Sequence, residues 1–265
     1  MNIGSCADRR CWMQSILEVK HVTKAFYEHG RHFTALDDIS LTVGEGECVG
    51  IVGESGSGKS TLARIITRLL LPDSGTVTLC GTELTQAKEA VLRRAYHDMK
   101  MIFQEPRSSF DPCLTLGESI CEALKPVMAE KKARMEEAKR LLAGVSLDKR
   151  FLNCYPRQVS GGECQRAAIA RALAQKPRLL ICDEATSALD VSVQAQIIET
   201  LNEIRSKNNL SLLFISHDLA LVSSFCDRTY VLYRGRIVEE GKTMEIIQNP
   251  KQKYTKKLIA SVLSV

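Results

Sequence analysis

Nine consecutive residues, Gly53-Glu54-Ser55-Gly56-Ser57-Gly58-Lys59-Ser60-Thr61, have the types and spacing that hold a triphosphate. They fit G-x-x-x-x-G-K-[ST]. Glycines at 53, 56 and 58 let backbone come close to an anion, and glycine accepts the positive φ that a tight loop demands. Successive N–H groups then form an anion nest. A helix following the loop aims its N-terminus, worth roughly half an elementary charge, at the same point. In such a loop Lys59 reaches the β- and γ-phosphates, the Ser60 hydroxyl ligates Mg2+, and Thr61 hydrogen-bonds nearby. A Gly/Ser-rich turn that merely joins strand to helix is the bland alternative. The full match argues against it, and so do the flanks: apolar Cys48-Val49-Gly50-Ile51-Val52 before and a helically spaced segment over 62–70 after.

A second group of residues can handle a cation and a water. Leu179-Leu180-Ile181-Cys182-Asp183-Glu184 is an apolar strand ending in two acids. Ligands of open α/β sheets sit beyond the carboxyl ends of the strands. There Asp183 can hold Mg2+ and Glu184 can polarise or deprotonate an attacking water. An acid pair at a strand end is often only a solvated cap, so this reading leans on the phosphate loop. A third group, Val159-Ser160-Gly161-Gly162-Glu163, precedes a helical run over 164–174. The S-x-x-E spacing of Ser160 and Glu163 makes a capping box. Gly161 and Gly162 also expose the helix N-terminus and its donors.

The elements that must position these groups alternate. Strands are expected over 16–22, 36–43, 76–80, 99–103, 179–183, 212–215 and 229–232, with a turn at Pro72-Asp73-Ser74-Gly75 and a hairpin turn at Tyr233-Arg234-Gly235-Arg236-Ile237. Helical patterns cover 116–128, 131–144, 163–174 and 193–206, with short helices near 244–248 and 254–263. Strands alternating with helices indicate an α/β fold around a parallel sheet, and the helices over 107–175 read as an inserted subdomain. Residues 1–15 read as a loose N-terminal extension, with Met13 an alternative start; 16–250 form the phosphate-binding domain, with the helical subdomain inserted, and 251–265 a helical tail.

Composition is that of an ordinary globular protein, 45% hydrophobic and 25% charged. The net charge of +5 is mild and does not call for a nucleic-acid partner. No apolar run approaches the ~20 residues of a membrane helix, and the N-terminus lacks the apolar stretch of a signal peptide. The ten cysteines are scattered without C-x-x-C spacing, which favours reduced thiols over zinc or disulfides. The basic run at 131–137 reads as a solvated helix face.

The order of these motifs resembles the ATP-binding-cassette (ABC) ATPases, a P-loop NTPase family. Its LSGGQ signature is similar to Val159-Ser160-Gly161-Gly162-Glu163 and lies, as here, ahead of the acidic strand end. Gln104 in Met101-Ile102-Phe103-Gln104-Glu105-Pro106 matches the family's Q-loop, Ser187-Ala188-Leu189-Asp190 its D-loop, and His217 in Phe214-Ile215-Ser216-His217-Asp218 its switch histidine. Phe26 stands where the family has an aromatic that stacks on adenine, with Tyr27 the alternative and a core role open to both. The stretch Asp183-Glu184-Ala185-Thr186-Ser187-Ala188-Leu189-Asp190-Val191-Ser192-Val193-Gln194-Ala195-Gln196 resembles the DEPTSALDVSVQAQ of oligopeptide, dipeptide and nickel importer ATPases. Phe103-Gln104-Glu105-Pro106-Arg107-Ser108-Ser109-Phe110-Asp111-Pro112 and Tyr254-Thr255-Lys256-Lys257-Leu258 are similar to that group's FQDPxSSLNP and YTKALL. Val159, Glu163 and Cys164 depart from the signature and Ala185 replaces a proline. Glu163 keeps the capping geometry. The chain also lacks the cysteine-bearing extension of some relatives, which puts any iron–sulfur site in doubt.

The resemblance implies a RecA-like parallel-sheet core with an antiparallel β subdomain and an inserted helical subdomain. It implies ATP and Mg2+ as ligands, with Ser60, Gln104 and Asp183 around the metal. Glu184 is the base, and His217, Lys59 and Gln104 complete the catalytic set. Each ATP is sandwiched between one subunit's loop and residues Ser160, Gly161, Gly162, Glu163 and Asp190 of a second, homologous ATPase, often non-identical. The implied partners are two membrane permease subunits and, indirectly, an extracytoplasmic solute-binding protein, with the chain at the cytoplasmic face of the membrane. Rival readings are a non-transport cassette ATPase, an export or membrane-extraction ATPase, and a small-molecule kinase. A single phosphate loop without heptads weakens the first, the importer-like stretch the second, and the SGGE helix the third.

Overall fold

The computed structural model describes residues 15–28, 31–185 and 190–263. The expected N-terminal extension, apart from Ser15, lies outside the described residues, as do Thr186, Ser187, Ala188 and Leu189. The chain opens with β1 (Ser15–Glu28), β2 (Arg31–Gly44), β3 (Cys48–Val52), α1 (Lys59–Ile66), β4 (Ser74–Leu79) and β5 (Thr82–Glu83). It continues with α2 (Glu89–Asp98), β6 (Met99–Ile102), α3 (Leu116–Leu124), α4 (Lys131–Gly144) and α5 (Gly161–Leu173). The last third holds β7 (Leu179–Asp183), α6 (Val191–Asn208), β8 (Ser211–Ser216), α7 (Leu219–Phe225), β9 (Arg228–Tyr233), β10 (Arg236–Lys242), α8 (Thr243–Gln248) and α9 (Lys253–Leu263).

Two sheets carry the structure. A six-stranded sheet has the order β10-β9-β3-β8-β7-β6, parallel except for β10. A four-stranded antiparallel sheet has the order β2-β1-β4-β5. Strands of the larger sheet are apolar on both faces, as a covered parallel sheet requires. Their residues alternate between two cores. Val49, Ile51, Ile181, Leu213 and Ile215 pack with α1 and the antiparallel sheet. Cys48, Val52, Cys182, Leu212 and Phe214 pack with α3 to α8. Cys48 and Cys182 are wholly buried and act there as small apolar side chains. Between β6 and β7 run α3, α4 and α5, linked by short 3-10 turns.

Several elements differ from the sequence expectation for identifiable reasons. The strands expected at 16–22 and 36–43 are halves of a longer hairpin, because register shifts beside Val22 interrupt the alternation. Positive φ at His21 and Asp38 marks the irregularity. The helix expected over 116–128 stops at Leu124, close before Pro126, which has no N–H to donate. Two helices went unforeseen. α2 packs a stripe of Leu92, Ala95 and Tyr96 on the core beside α1, a helical spacing too short to stand out among its charged neighbours. α7 is seven residues long, begun by the Asp218 carboxylate accepting from the Ala220 and Leu221 amides.

Arg228 joins the two sheets at the base of β3. Its guanidinium donates to both Glu47 oxygens, at 2.8 and 3.1 Å, and to the Thr42 carbonyl at 2.8 Å. Burial would raise the Glu47 carboxyl, but the Arg228 and Gly44 hydrogen bonds hold it below the usual carboxylate range. A carboxyl depressed in the fold contributes stability above its unfolded pKa and loses it as pH falls through the folded value. Arg228→Met should therefore lower unfolding free energy by about 2–4 kcal/mol at neutral pH. Urea titrations at descending pH should show the gap to the unaltered chain closing under acid. A gap that stays constant with pH would contradict the assignment.

Candidate functional site

The phosphate-loop motif lies between the end of β3 and the start of α1. Gly58 is the N-cap of α1 at φ 107°, a left-handed conformation, and a Cβ there would stand 2.5 Å from the Ala35 carbonyl. Its lack of a side chain leaves α1 without a side-chain cap, so the first amides of the helix face outward. A Cβ on Gly53 would stand 2.2 Å from the Leu232 carbonyl, which holds the entry of the loop against β9. A cavity of about 340 Å³ opens over the loop, lined by Ser55, Gly56, Gly58, Lys59, Ser60, Thr61, Gln104 and Glu184, with Phe33 and Ala35 at one side.

Lys59 is 4% exposed. Its ammonium donates to the carbonyls of Gly53 (2.7 Å) and Glu54 (2.9 Å), with Glu184 Oε1 at 3.8 Å. Burial pushes its pKa down, against the upward pull of the Glu184 and Asp183 carboxylates. A buried ammonium beside uncapped helix amides is a site short of negative charge, and a polyphosphate supplies it. The neighbouring donor set suits a divalent cation. Ser60 Oγ donates to Asp183 Oδ1 at 3.2 Å. Burial raises the Asp183 carboxyl, only partly offset by that hydrogen bond. A hard cation between these two oxygens would relieve that burial.

Glu184 is where the remaining residues meet. It follows β7 with φ 48°, uncommon for a side chain of its size, and its N–H donates to the Ile215 carbonyl of β8. Gln104 Nε2 donates to Glu184 Oε2 at 3.2 Å, and His217 Nδ1 lies 3.6 Å from the same oxygen. Four sequence-separated segments thus converge: the loop, the end of β6, the end of β7 and the end of β8. The carboxyl ends of three parallel strands put them there.

The SGGE group stands beside this cavity rather than in its lining: Gly161 shares a neighbouring hollow with Gln104 and Ala185. Ser160 is the N-cap of α5; its Oγ accepts from the Glu163 amide at 3.3 Å, and its own N–H donates to Glu163 Oε2 at 2.7 Å. The Ser160 amide holds the Glu163 carboxyl below the usual range. A Cβ on Gly162 would meet Val193 Cγ1 at 2.5 Å, so this glycine lets α5 pack on α6. Ser160, Gly161, Gly162, Glu163 and Asp190 are not among the described residues lining the cavity, and neither is Phe26. Asp190 is the N-cap residue of α6 and makes no side-chain cap.

Two contributors escaped sequence reasoning. Phe33 is 57% exposed, lines the cavity, and pairs across the β1–β2 hairpin with Phe26. A residue directly opposite Phe26 shares its face of the hairpin, but that register can be read only once the irregularity at Val22 is known. Arg107 donates to the Val159 carbonyl at 2.7 Å, joining the segment after Gln104 to the residue before Ser160. No spacing rule pairs residues so far apart.

Comparison with known proteins agrees with this geometry. Residues 36–187 match the family described as ABC transporter. The chain is 43% identical over 248 residues to the oligopeptide transport ATP-binding protein OppF of Escherichia coli K12, covering 92% of this chain and 74% of that protein. OppF of Salmonella typhimurium is 42% identical over 248 residues, covering 92% and 74%. Among solved structures, the ATP-binding cassette MJ0796, a dimer in a post-hydrolysis state bound to ADP and Pi, superposes with a TM-score of 0.79. It is 31% identical, with coverage of 86% of this chain and 98% of that one. Clostridium perfringens cbiO1 shares the fold, with a TM-score of 0.79 at 23% identity and coverage of 94% and 96%. With a phosphate loop, an acidic strand end and a capped SGGE helix in one cassette fold, the chain belongs to the ABC transporter family, as an ATP-binding subunit that hydrolyses ATP.

Proposed function

We propose that this chain drives uptake of peptides through a membrane permease, with Glu184 as the base that activates water for ATP hydrolysis. The observation that carries the site assignment is the convergence of Lys59, Gln104 and His217 on the Glu184 carboxylate at the edge of the loop cavity. A peptide cargo is favoured by the oligopeptide transport role of the OppF relatives. A membrane location through partners, rather than a span of its own, fits the fact that no helix of the described residues is long and apolar enough to cross a bilayer.

In this reading the loop amides and Lys59 bind the β- and γ-phosphates. Ser60, Asp183 and Gln104 would hold Mg2+, which would neutralise phosphate charge. Glu184 takes the water proton, and His217 holds that carboxylate and the γ-phosphate in register. Phe33 stacks on the adenine, with Phe26 beside it on the same face of the hairpin. Ser160, Gly161, Gly162, Glu163 and Asp190 serve the nucleotide of a second cassette, an assembly supported by their absence from the lining of this chain's own cavity and by the dimeric form of MJ0796. The Ser160 hydroxyl and the Gly161 and Gly162 amides at the start of α5 would then act on transition-state charge as an arginine finger does, an effect worth ~10³–10⁵ in rate. Two permease subunits and an extracytoplasmic binding protein complete the importer, and the cargo is chosen there.

Glu184→Gln should retain ATP binding but lower turnover by about 10²-fold or more, measured as phosphate release by the chain with its partners; unchanged turnover would remove Glu184 from its role. Lys59→Ala should weaken ATP by about tenfold to a hundredfold, the worth of charge-assisted hydrogen bonds, in equilibrium titration. Phe33→Ala should weaken ATP about fivefold or more, in keeping with base–aromatic stacking, while leaving inorganic tripolyphosphate affinity unchanged. Equal loss for both ligands would show that Phe33 shapes the loop rather than the base pocket.

A further inference from the structure

The C-terminal helix reaches the phosphate loop. Tyr254, in the first turn of α9, accepts a hydrogen bond from the Glu54 amide through its hydroxyl at 3.0 Å. Its ring stacks on Tyr233, with centroids 4.1 Å apart and planes 30° from parallel. Tyr233 ends β9, next to the Leu232 carbonyl that abuts Gly53. Two residues on, the Gly235 amide donates to the Ser57 carbonyl at 3.0 Å. The last part of the chain therefore touches the loop at its entry, through Leu232 and Tyr254, and in its middle, through Gly235.

Glu54 is gripped from both sides. Its N–H is held by Tyr254 and its carbonyl accepts from Lys59 at 2.9 Å. The carbonyl is also held by the Ser57 amide at 3.2 Å, within the loop, whereas the N–H has its bond to Tyr254, outside the loop. The helix bearing Tyr254 is itself secured. The Glu239 carboxylate on β10 accepts from the Lys251 and Gln252 amides at 2.7 and 3.0 Å, where the chain enters α9. Thr255 beside it is wholly buried, and Ile259 is 9% exposed.

We infer that Tyr254 is a positioning residue for nucleotide binding: its hydroxyl holds the entry of the phosphate loop in its binding shape and ties ATP affinity to the docking of α9. This rests on the phosphate-loop reading above. Tyr254 touches no phosphate; it acts through the Glu54 peptide. Anything that lifts α9 from the core would loosen ATP without altering a residue of the loop itself.

Tyr254→Phe in the full chain keeps the ring and removes only the hydroxyl. It should raise the ATP dissociation constant, and the KM for ATP, about fivefold, the worth of one hydrogen bond. The kcat and the melting temperature of the nucleotide-free chain should stay unchanged. Amide hydrogen exchange over the peptide containing Glu54 should quicken. Tyr254→Ala, which also removes the stack on Tyr233, should weaken ATP further. Affinity and exchange in Tyr254→Phe equal to those of the unaltered chain would overturn the proposal. So would a fall in melting temperature that accounts for the affinity loss. An unaltered chain that binds no ATP would count instead against the phosphate-loop reading, and unchanged exchange at Glu54 would then be enough to overturn the role of Tyr254.

Discussion

One ammonium group sets the terms for the rest of the site. Lys59 is almost wholly buried at the start of α1, where the helix leaves its first amides uncapped. Burying a cation beside the positive end of a helix is unfavourable unless negative partners are close. Without nucleotide the partners are two loop carbonyls and, more distantly, Glu184. These are enough to keep the lysine in place and too few to satisfy the loop, so a polyphosphate completes an arrangement already formed. The Asp183 carboxyl, raised by burial, leaves a matching deficit of positive charge a few ångströms away. ATP answers the first deficit, and in the proposed mechanism a divalent cation would answer the second.

The sheet provides the precision. Three parallel strands, β6, β7 and β8, end on the same side as β3, so the residues just past them share one crevice. Parallel register is what lets Gln104, Glu184 and His217 meet at a single carboxylate. Each strand is pinned between two cores, one on each face, so its end has little freedom to wander. The antiparallel sheet, clamped to β9 by Arg228, brings the aromatic wall to the same crevice.

The SGGE helix shows how one motif can serve structure and function together. Its serine and glutamate form a closed capping box, and Gly162 lets α5 approach Val193. These contacts account for the residue types without any ligand. They also leave a well-formed helix N-terminus outside the lining of the chain's own cavity, joined through Val159 and Arg107 to the segment that carries Gln104. A displacement of the helices between β6 and β7 would be felt at Glu184 through that segment. Such a link is what a machine needs if nucleotide chemistry is to move a bound partner.

Local chemistry was legible in the sequence because it is written in contiguous residues. The loop of Gly53 to Thr61, the acids after an apolar strand and the S-x-x-E cap each declare themselves within a dozen positions, and strands buried on both faces read as short apolar runs. The order of motifs was enough to identify the family. The short stripe of α2 and the hairpin interrupted at His21 and Asp38 were not legible, since each offers too little unbroken periodicity to read. Only the tertiary structure decided which distant groups meet: Phe33 across from Phe26, Arg107 on Val159, and Tyr254 on the amide of Glu54. The physical reason is that these contacts depend on register and on the packing of whole elements. Neither quantity is carried by the residues in contact.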